Sequence, residues 1–111
     1  MKRYYLTLDL KQDAQLIAEY EAYHSEVWPE IKRSILDSGI TNMEIYRFDN
    51  RLFMIVETDN SFTFERKAAM DTNNPKVQEW ETLMLKFQQP LKNAKPGEKW
   101  VLMDRIFGLS D

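Results

Sequence analysis

Residues 51–59 read Arg51-Leu52-Phe53-Met54-Ile55-Val56-Glu57-Thr58-Asp59, and this run constrains the fold more than any other. It is short and rich in β-branched and aromatic side chains. The pair Asp49-Asn50 in front of it suits a two-residue hairpin turn. As a strand, it sends Leu52, Met54 and Val56 to one side and Phe53 and Ile55 to the other. Both faces of its sheet therefore need cover.

Three further stretches read as strands. Residues 40–48 form the first arm of the hairpin. Residues 3–10 alternate, with Tyr4, Leu6, Leu8 and Leu10 on one face and Tyr5, Thr7 and Asp9 on the other. The segment Trp100–Phe107 reads as the fourth strand, and it is again apolar on both sides: Trp100, Leu102 and Ile106, then Val101, Met103 and Phe107.

Helical spacing separates the strands. Asp13 is placed to cap a helix whose large side chains fall at Ile17, Tyr20, His24, Val27/Trp28, Ile31 and Ile35, with Gly39 as its stop. Pro29 interrupts that stripe, because it lacks a backbone donor and crowds the carbonyl of Ser25. Two helical pieces are expected, joined near Glu26–Trp28, with Pro29 opening the second. Ser61 is expected to cap a short helix over Phe62–Met70. Asn74 and Pro75 open another that runs to about Phe87. Residues 88–98, with Pro90, Pro96 and Gly97, read as an ordered loop or flap.

The order β, α, β, β, α(α), β is the ferredoxin-like split βαβ arrangement. The fold class is α+β: a four-stranded antiparallel sheet with helices on one face. A chain of 111 residues supports one core, so one domain is expected over 1–111. One helical layer cannot cover two apolar sheet faces. A second copy is the simplest cover, giving a homodimer built as a dimeric α+β barrel.

Composition narrows the chemistry. There is no cysteine, which excludes disulfides, thiol catalysis and Cys-ligated metal. One histidine excludes multi-His metal sites within a subunit. The net charge of −3 and scattered basic residues argue against nucleic acid as a partner. No apolar run is long enough to span a membrane, and Asp9 follows the start too soon for a signal peptide. A cytoplasmic protein is expected. No Gly-rich phosphate loop, nucleophile elbow or metal-spaced carboxylate set is present.

His24 is the only side chain that titrates near neutrality unperturbed. A lone histidine on an apolar face is more often a core-edge residue with one hydrogen bond. Three features favour chemistry instead. Tyr20 lies one turn before it, the break at Pro29 frees backbone polar groups nearby, and Glu26 and Glu30 bring carboxylates to the region. The aromatic set Tyr20, Tyr23, Trp28 and Trp80 could be core. These residue types also cover sugar C–H surfaces while their polar tips bond hydroxyls.

The motif Tyr20-x-x-x-His24-x-x-x-Trp28-Pro29-Glu30 resembles the L-rhamnose mutarotase family. So do Asn42-x-x-x-Tyr46, Val77-Gln78-Glu79-Trp80 leading into Leu83-Met84, and the terminal Ile106-Phe107-Gly108-Leu109. The resemblance spans nearly the whole chain. It implies a dimeric ferredoxin-like isomerase that interconverts the α and β anomers of L-rhamnose with no metal or organic cofactor. It further implies His24 as proton donor, with Tyr20 and Trp80 binding a monosaccharide. Two positions depart from the family. The second tryptophan of a tandem pair is Glu81 here, and a sugar-contacting tyrosine of strand two is Met43. Both changes would alter sugar recognition, which keeps L-fucose as a competing substrate.

Two other classes stay open on the residues alone. One is a haem-type oxygenase of the same dimeric α+β architecture, with His24 as axial ligand. The other is a non-catalytic sugar-binding or interaction domain.

Overall fold

A computed structural model describes residues 1–110 of the chain. The elements run β1 (Lys2–Leu10), α1 (Ala14–Ser25), α2 (Pro29–Asp37), β2 (Ile40–Phe48), β3 (Arg51–Thr58), α3 (Phe64–Thr72), α4 (Pro75–Leu85), β4 (Gln88–Gln89) and β5 (Val101–Leu102). The architecture is α+β with an open antiparallel sheet, as expected. The sheet order is β2-β3-β1, with β4 and β5 both paired to the far edge of β1.

The hairpin forms as read. Asp49 takes a left-handed φ of +53° at the turn, a conformation Asp tolerates better than most residues. Tyr4 pairs with Val56, Leu6 with Met54 and Leu8 with Leu52. Leu6, Leu8, Leu10, Leu52, Met54, Val56 and Thr58 are all buried on one face. Arg47 shares that face and pairs with Glu21 of α1, so the helices lie on this side. The opposite face carries Tyr5, Phe53, Ile55, Tyr46 and Phe48, and among the described residues no helix covers it. Tyr5 stacks on Phe53 at 6.0 Å, while Tyr46 and Phe48 are largely exposed.

A bulge shifts the β2–β3 register. Ile40 pairs with Thr58, but Asn42 pairs with Glu57, which leaves Thr41 as the extra residue. Without it, alternation would put Ile40 and Met43 on opposite faces. With it, Ile40, Met43 and Ile45 all face the helices.

The helix boundaries follow local chemistry. Asp13 accepts from the Leu16 amide at 3.0 Å, and Asn74 accepts from Lys76 and Val77. Each cap contributes about 1 kcal/mol. Pro29 opens α2, and Gly39 ends it with φ +100°. A Cβ there would lie 2.7 Å from Asp59 Oδ1 and Ser61 Oγ.

Three expectations change. Thr63, not Ser61, caps α3, which runs Phe64–Thr72 rather than Phe62–Met70. The Ser61 hydroxyl is engaged elsewhere, donating to Asp59 at 2.6 Å. The fourth strand is not Trp100–Phe107. It is split into β4, inside the stretch read as a loop, and a short β5. Gln89 pairs with Asp9 and Val101 with Thr7, so residues 90–100 form an excursion opposite a single β1 residue, Leu8. After Met103, whose amide reaches Tyr5, the chain leaves the sheet, and Ile106, Phe107 and Leu109 stand exposed.

The core divides into two buried clusters. One holds Leu10, Tyr20, Ile31, Leu52, Val77, Trp80, Met84 and Phe87. The other holds Leu6, Ile40, Met54, Val56 and Phe62. Ile35, Ile45 and Trp100 pack against both. Among the described residues, no helix is long and apolar enough to cross a membrane.

Candidate active site

A cavity of about 370 Å³ lies between the helices and the covered face of the sheet. As a sealed, dry void it would cost about 9 kcal/mol, comparable with the whole stability of a small domain. It opens to solvent, and its size falls within the range of small-molecule sites. The five positions marked by the family resemblance line it: Tyr20, His24, Met43, Trp80 and Glu81. Three local devices bring them there. The α1 stripe aims Tyr20 and His24 inward. The bulge at Thr41 turns Met43 inward. The Asn74–Pro75 start sets the phase of α4 that carries Trp80 and Glu81.

His24 is half-buried in an aromatic surround. Its ring lies 4.2 Å from Tyr20 and 5.5 Å from Trp80, measured between centroids. Trp28 packs edge-on against Trp80 at 5.0 Å. The Nδ1 of His24 lies 2.8 Å from the carbonyl oxygen of Tyr20. A carbonyl can only accept, so Nδ1 carries the proton and donates it. In the neutral ring, Nε2 then keeps its lone pair and is the basic atom. Burial pulls the His24 pKa below its ordinary 6.5, partly offset by the bond to Tyr20. The ring is therefore neutral at pH 7. Burial pushes the Tyr20 phenol well above its usual value, so it remains an O–H donor and does not serve as a base.

Other members of the aromatic and acidic sets do not reach the cavity. Tyr23 and Trp28 support Trp80 from behind. Glu26 and Glu30 are exposed and line no part of it, so the carboxylates expected near His24 from this stretch do not reach the cavity; Glu81 and Asp71 line it instead. Sequence reasoning passed over several lining residues. Lys67 and Asp71 face the cavity from α3 as an ion pair, at 2.5 Å. Their i,i+4 spacing was visible, but it marks exposed helix pairs just as often. Gln88, Lys99 and Trp100 come from the two ends of the 90–100 excursion. A second groove of about 440 Å³, beside α2 and β2, shares His24 and Met43 and adds Lys32, Thr41 and Asn42. His24 thus stands between the inner cavity and an outer approach. Among the described residues, no cluster of three or more His, Asp or Glu side chains is placed to hold a metal ion.

The sequence model of a family described as L-rhamnose mutarotase matches residues 3–109. The chain belongs to the L-rhamnose mutarotase family. It is an isomerase of the kind that interconverts sugar anomers. It is 45% identical to an L-fucose mutarotase of Xanthomonas campestris pv. campestris, over all of this chain and 90% of that protein. It is 34% identical to an L-rhamnose mutarotase of Phocaeicola vulgatus, over 56% of this chain and 58% of that protein. The crystal structure of an L-rhamnose mutarotase from Formosa agariphila superposes with a TM-score of 0.70 at 18% identity, covering 98% of this chain and 99% of that one. This mutarotase-family chain thus has the expected fold, with its one histidine in the wall of its cavity.

Proposed function

We propose that this chain is an aldose mutarotase for a 6-deoxy-L-hexose, opening and reclosing the pyranose ring at His24. The observation that carries the reading is the His24–Tyr20 hydrogen bond inside the cavity. It leaves Nε2 as the free basic nitrogen of a neutral imidazole. Nε2 takes the proton from the anomeric hydroxyl. As the C1=O1 double bond forms, the C1–O5 bond breaks, and the imidazolium delivers the proton to O5. O1 and O5 are both bonded to C1, so one imidazole serves as base and then as acid. Rotation about C1–C2 presents the other aldehyde face, and the same transfers in reverse close the ring. Acid–base catalysis of this kind supplies about 10²–10⁴-fold. Tyr20 and Trp80 hold the sugar, and the apolar walls Leu6, Met54 and Val56 suit a C6 methyl group better than a hydroxymethyl group.

L-fucose and L-rhamnose are the two sugars to separate. We place L-fucose first, because the 45% identity to an L-fucose mutarotase runs the full length of this chain. L-rhamnose is supported by the family description and by the similarity to the Phocaeicola vulgatus L-rhamnose mutarotase. Glu81 and Met43 are the positions proposed to tune this choice.

We also propose a homodimer in which the uncovered sheet faces pack together, with Ile106, Phe107 and Leu109 reaching the second copy. The cytoplasmic setting expected from the sequence stays part of the proposal, and recovery in a secreted fraction would remove it. The test of function is magnetisation exchange between anomeric proton signals with L-fucose, L-rhamnose and other aldoses. Exchange accelerated by the protein for one of the two 6-deoxy sugars is expected. No acceleration with any aldose would overturn the reading.

A further inference from the structure

Gln88 as a residue is more than nine-tenths buried, and its Oε1 accepts no hydrogen bond from any described protein group. Buried side-chain oxygens without a partner are rare, and each calls for a reason. The only other one among the described residues is Thr58 Oγ1, which lines neither the cavity nor the groove. Gln88 lines the cavity. The ladder explains why. Gln88 pairs with Leu10, and residues paired across a sheet point to the same face. Leu10 is fully buried under the helices, so Gln88 is turned to that side as well. Its position is otherwise apolar. Phe87 precedes it, with its ring 6.1 Å from that of Tyr20, and Met84 is buried one turn earlier. A leucine or methionine would satisfy such a site without leaving an acceptor unmet.

We propose that Gln88 is a substrate-binding residue whose side-chain amide reads one ring hydroxyl of the monosaccharide. Oε1 is closed off from solvent-sized contact, so the amide must turn about its broad terminal torsion to meet the sugar. A hydroxyl, being both donor and acceptor, then gives its proton to Oε1 and receives one from Nε2 of the same amide. The ligand class is a pyranose with a free secondary hydroxyl. The residue acts in recognition, not in proton transfer, and the assignment rests on the mutarotase reading of this cavity.

The test is Gln88→Leu, with Gln88→Met as a second variant of matching length. Sugar affinity is read by ligand-observed NMR and turnover by anomeric exchange. The expected result is a KM raised about tenfold or more with kcat near wild type, the mark of lost ground-state binding. The melting temperature should stay level or rise, because an unpartnered buried oxygen has been removed. One monodeoxy analogue should be handled equally by wild type and variant, which identifies the hydroxyl. A folded variant with wild-type affinity and KM would overturn the proposal. So would a lowered melting temperature in both variants with affinity intact, which marks a structural glutamine. Wild-type protein that binds sugar without accelerating exchange would overturn the mutarotase reading instead, and the affinity comparison would still decide the role of Gln88.

Discussion

The carbonyl oxygen of Tyr20 accepts the Nδ1–H of His24 at 2.8 Å, and this bond within one helical turn fixes the tautomer of the ring. The same contact opposes the effect of burial on its pKa, but does not cancel it. Activity and stability should both depend on pH through this ring.

His24→Asn keeps similar size but removes the basic nitrogen. Anomer exchange should fall about 10²-fold or more with little change in melting temperature. Exchange by wild type should rise with pH through a midpoint below 6.5, as the imidazole loses its second proton, and then level off. A folded Asn variant exchanging at the wild-type rate would refute the assignment.

The depressed pKa of His24 also affects folding. The unfolded chain binds a proton at His24 near pH 6.5, while the folded chain binds it only at lower pH. Stability therefore rises with pH between the folded value and 6.5, and drops as pH falls through that window. Urea titrations of wild type and His24→Asn should show that any wild-type advantage at pH 7.5 shrinks by pH 5. Parallel curves across that range would show that burial does not perturb the ring.

Glu81 lines the cavity beside Trp80. Glu81→Trp replaces an acceptor with a stacking surface and should change the ratio of L-rhamnose to L-fucose activity by about tenfold, a change worth about 1.4 kcal/mol. Met43→Tyr should move the same ratio by adding a hydroxyl. Ratios of kcat/KM that stay at the wild-type value in both variants would mean that neither position touches sugar.

Phe53 lies at the centre of the uncovered sheet face, stacked on Tyr5. Wild-type protein should scatter light with twice the 13.3 kDa mass of one chain. Phe53→Glu puts a charge into that face and should shift the population to monomer at micromolar concentration. A wild-type monomer at the same concentration would sink the dimer proposal.

Gly39 combines a φ of +100° with two oxygens 2.7 Å from where a Cβ would sit. Gly39→Ala should cost about 1–3 kcal/mol in urea unfolding. An unmoved urea midpoint would mean that the α2–β2 turn relaxes freely.

Features written in neighbouring residues were legible in the sequence. Pro29 announced the break between α1 and α2, Asp13 and Asn74 announced their caps, and Asp49-Asn50 announced the hairpin. His24 and Tyr20 were legible as a pair because one helical turn separates them. What depended on distant partners was not. Nothing at Thr41 marks a bulge, yet the bulge decides that Met43 faces the cavity. Ser61 and Thr63 are equally good caps in sequence, and Asp59 decides between them by holding Ser61. The inward turn of Gln88 is fixed only by its register with Leu10.

The divided edge strand bears on how such a site can diversify. The ladder on β1 stops at Asp9 and resumes at Thr7, with the whole 90–100 excursion interposed. Most of that excursion is anchored at its two ends, so its length and composition are uncoupled from strand pairing. It behaves as a cassette. Its middle can be lengthened, shortened or exchanged between relatives while Gln88 and Trp100 keep their places at either end. A new sugar preference could be grafted onto the cavity rim without re-solving the folding problem of the sheet beneath it.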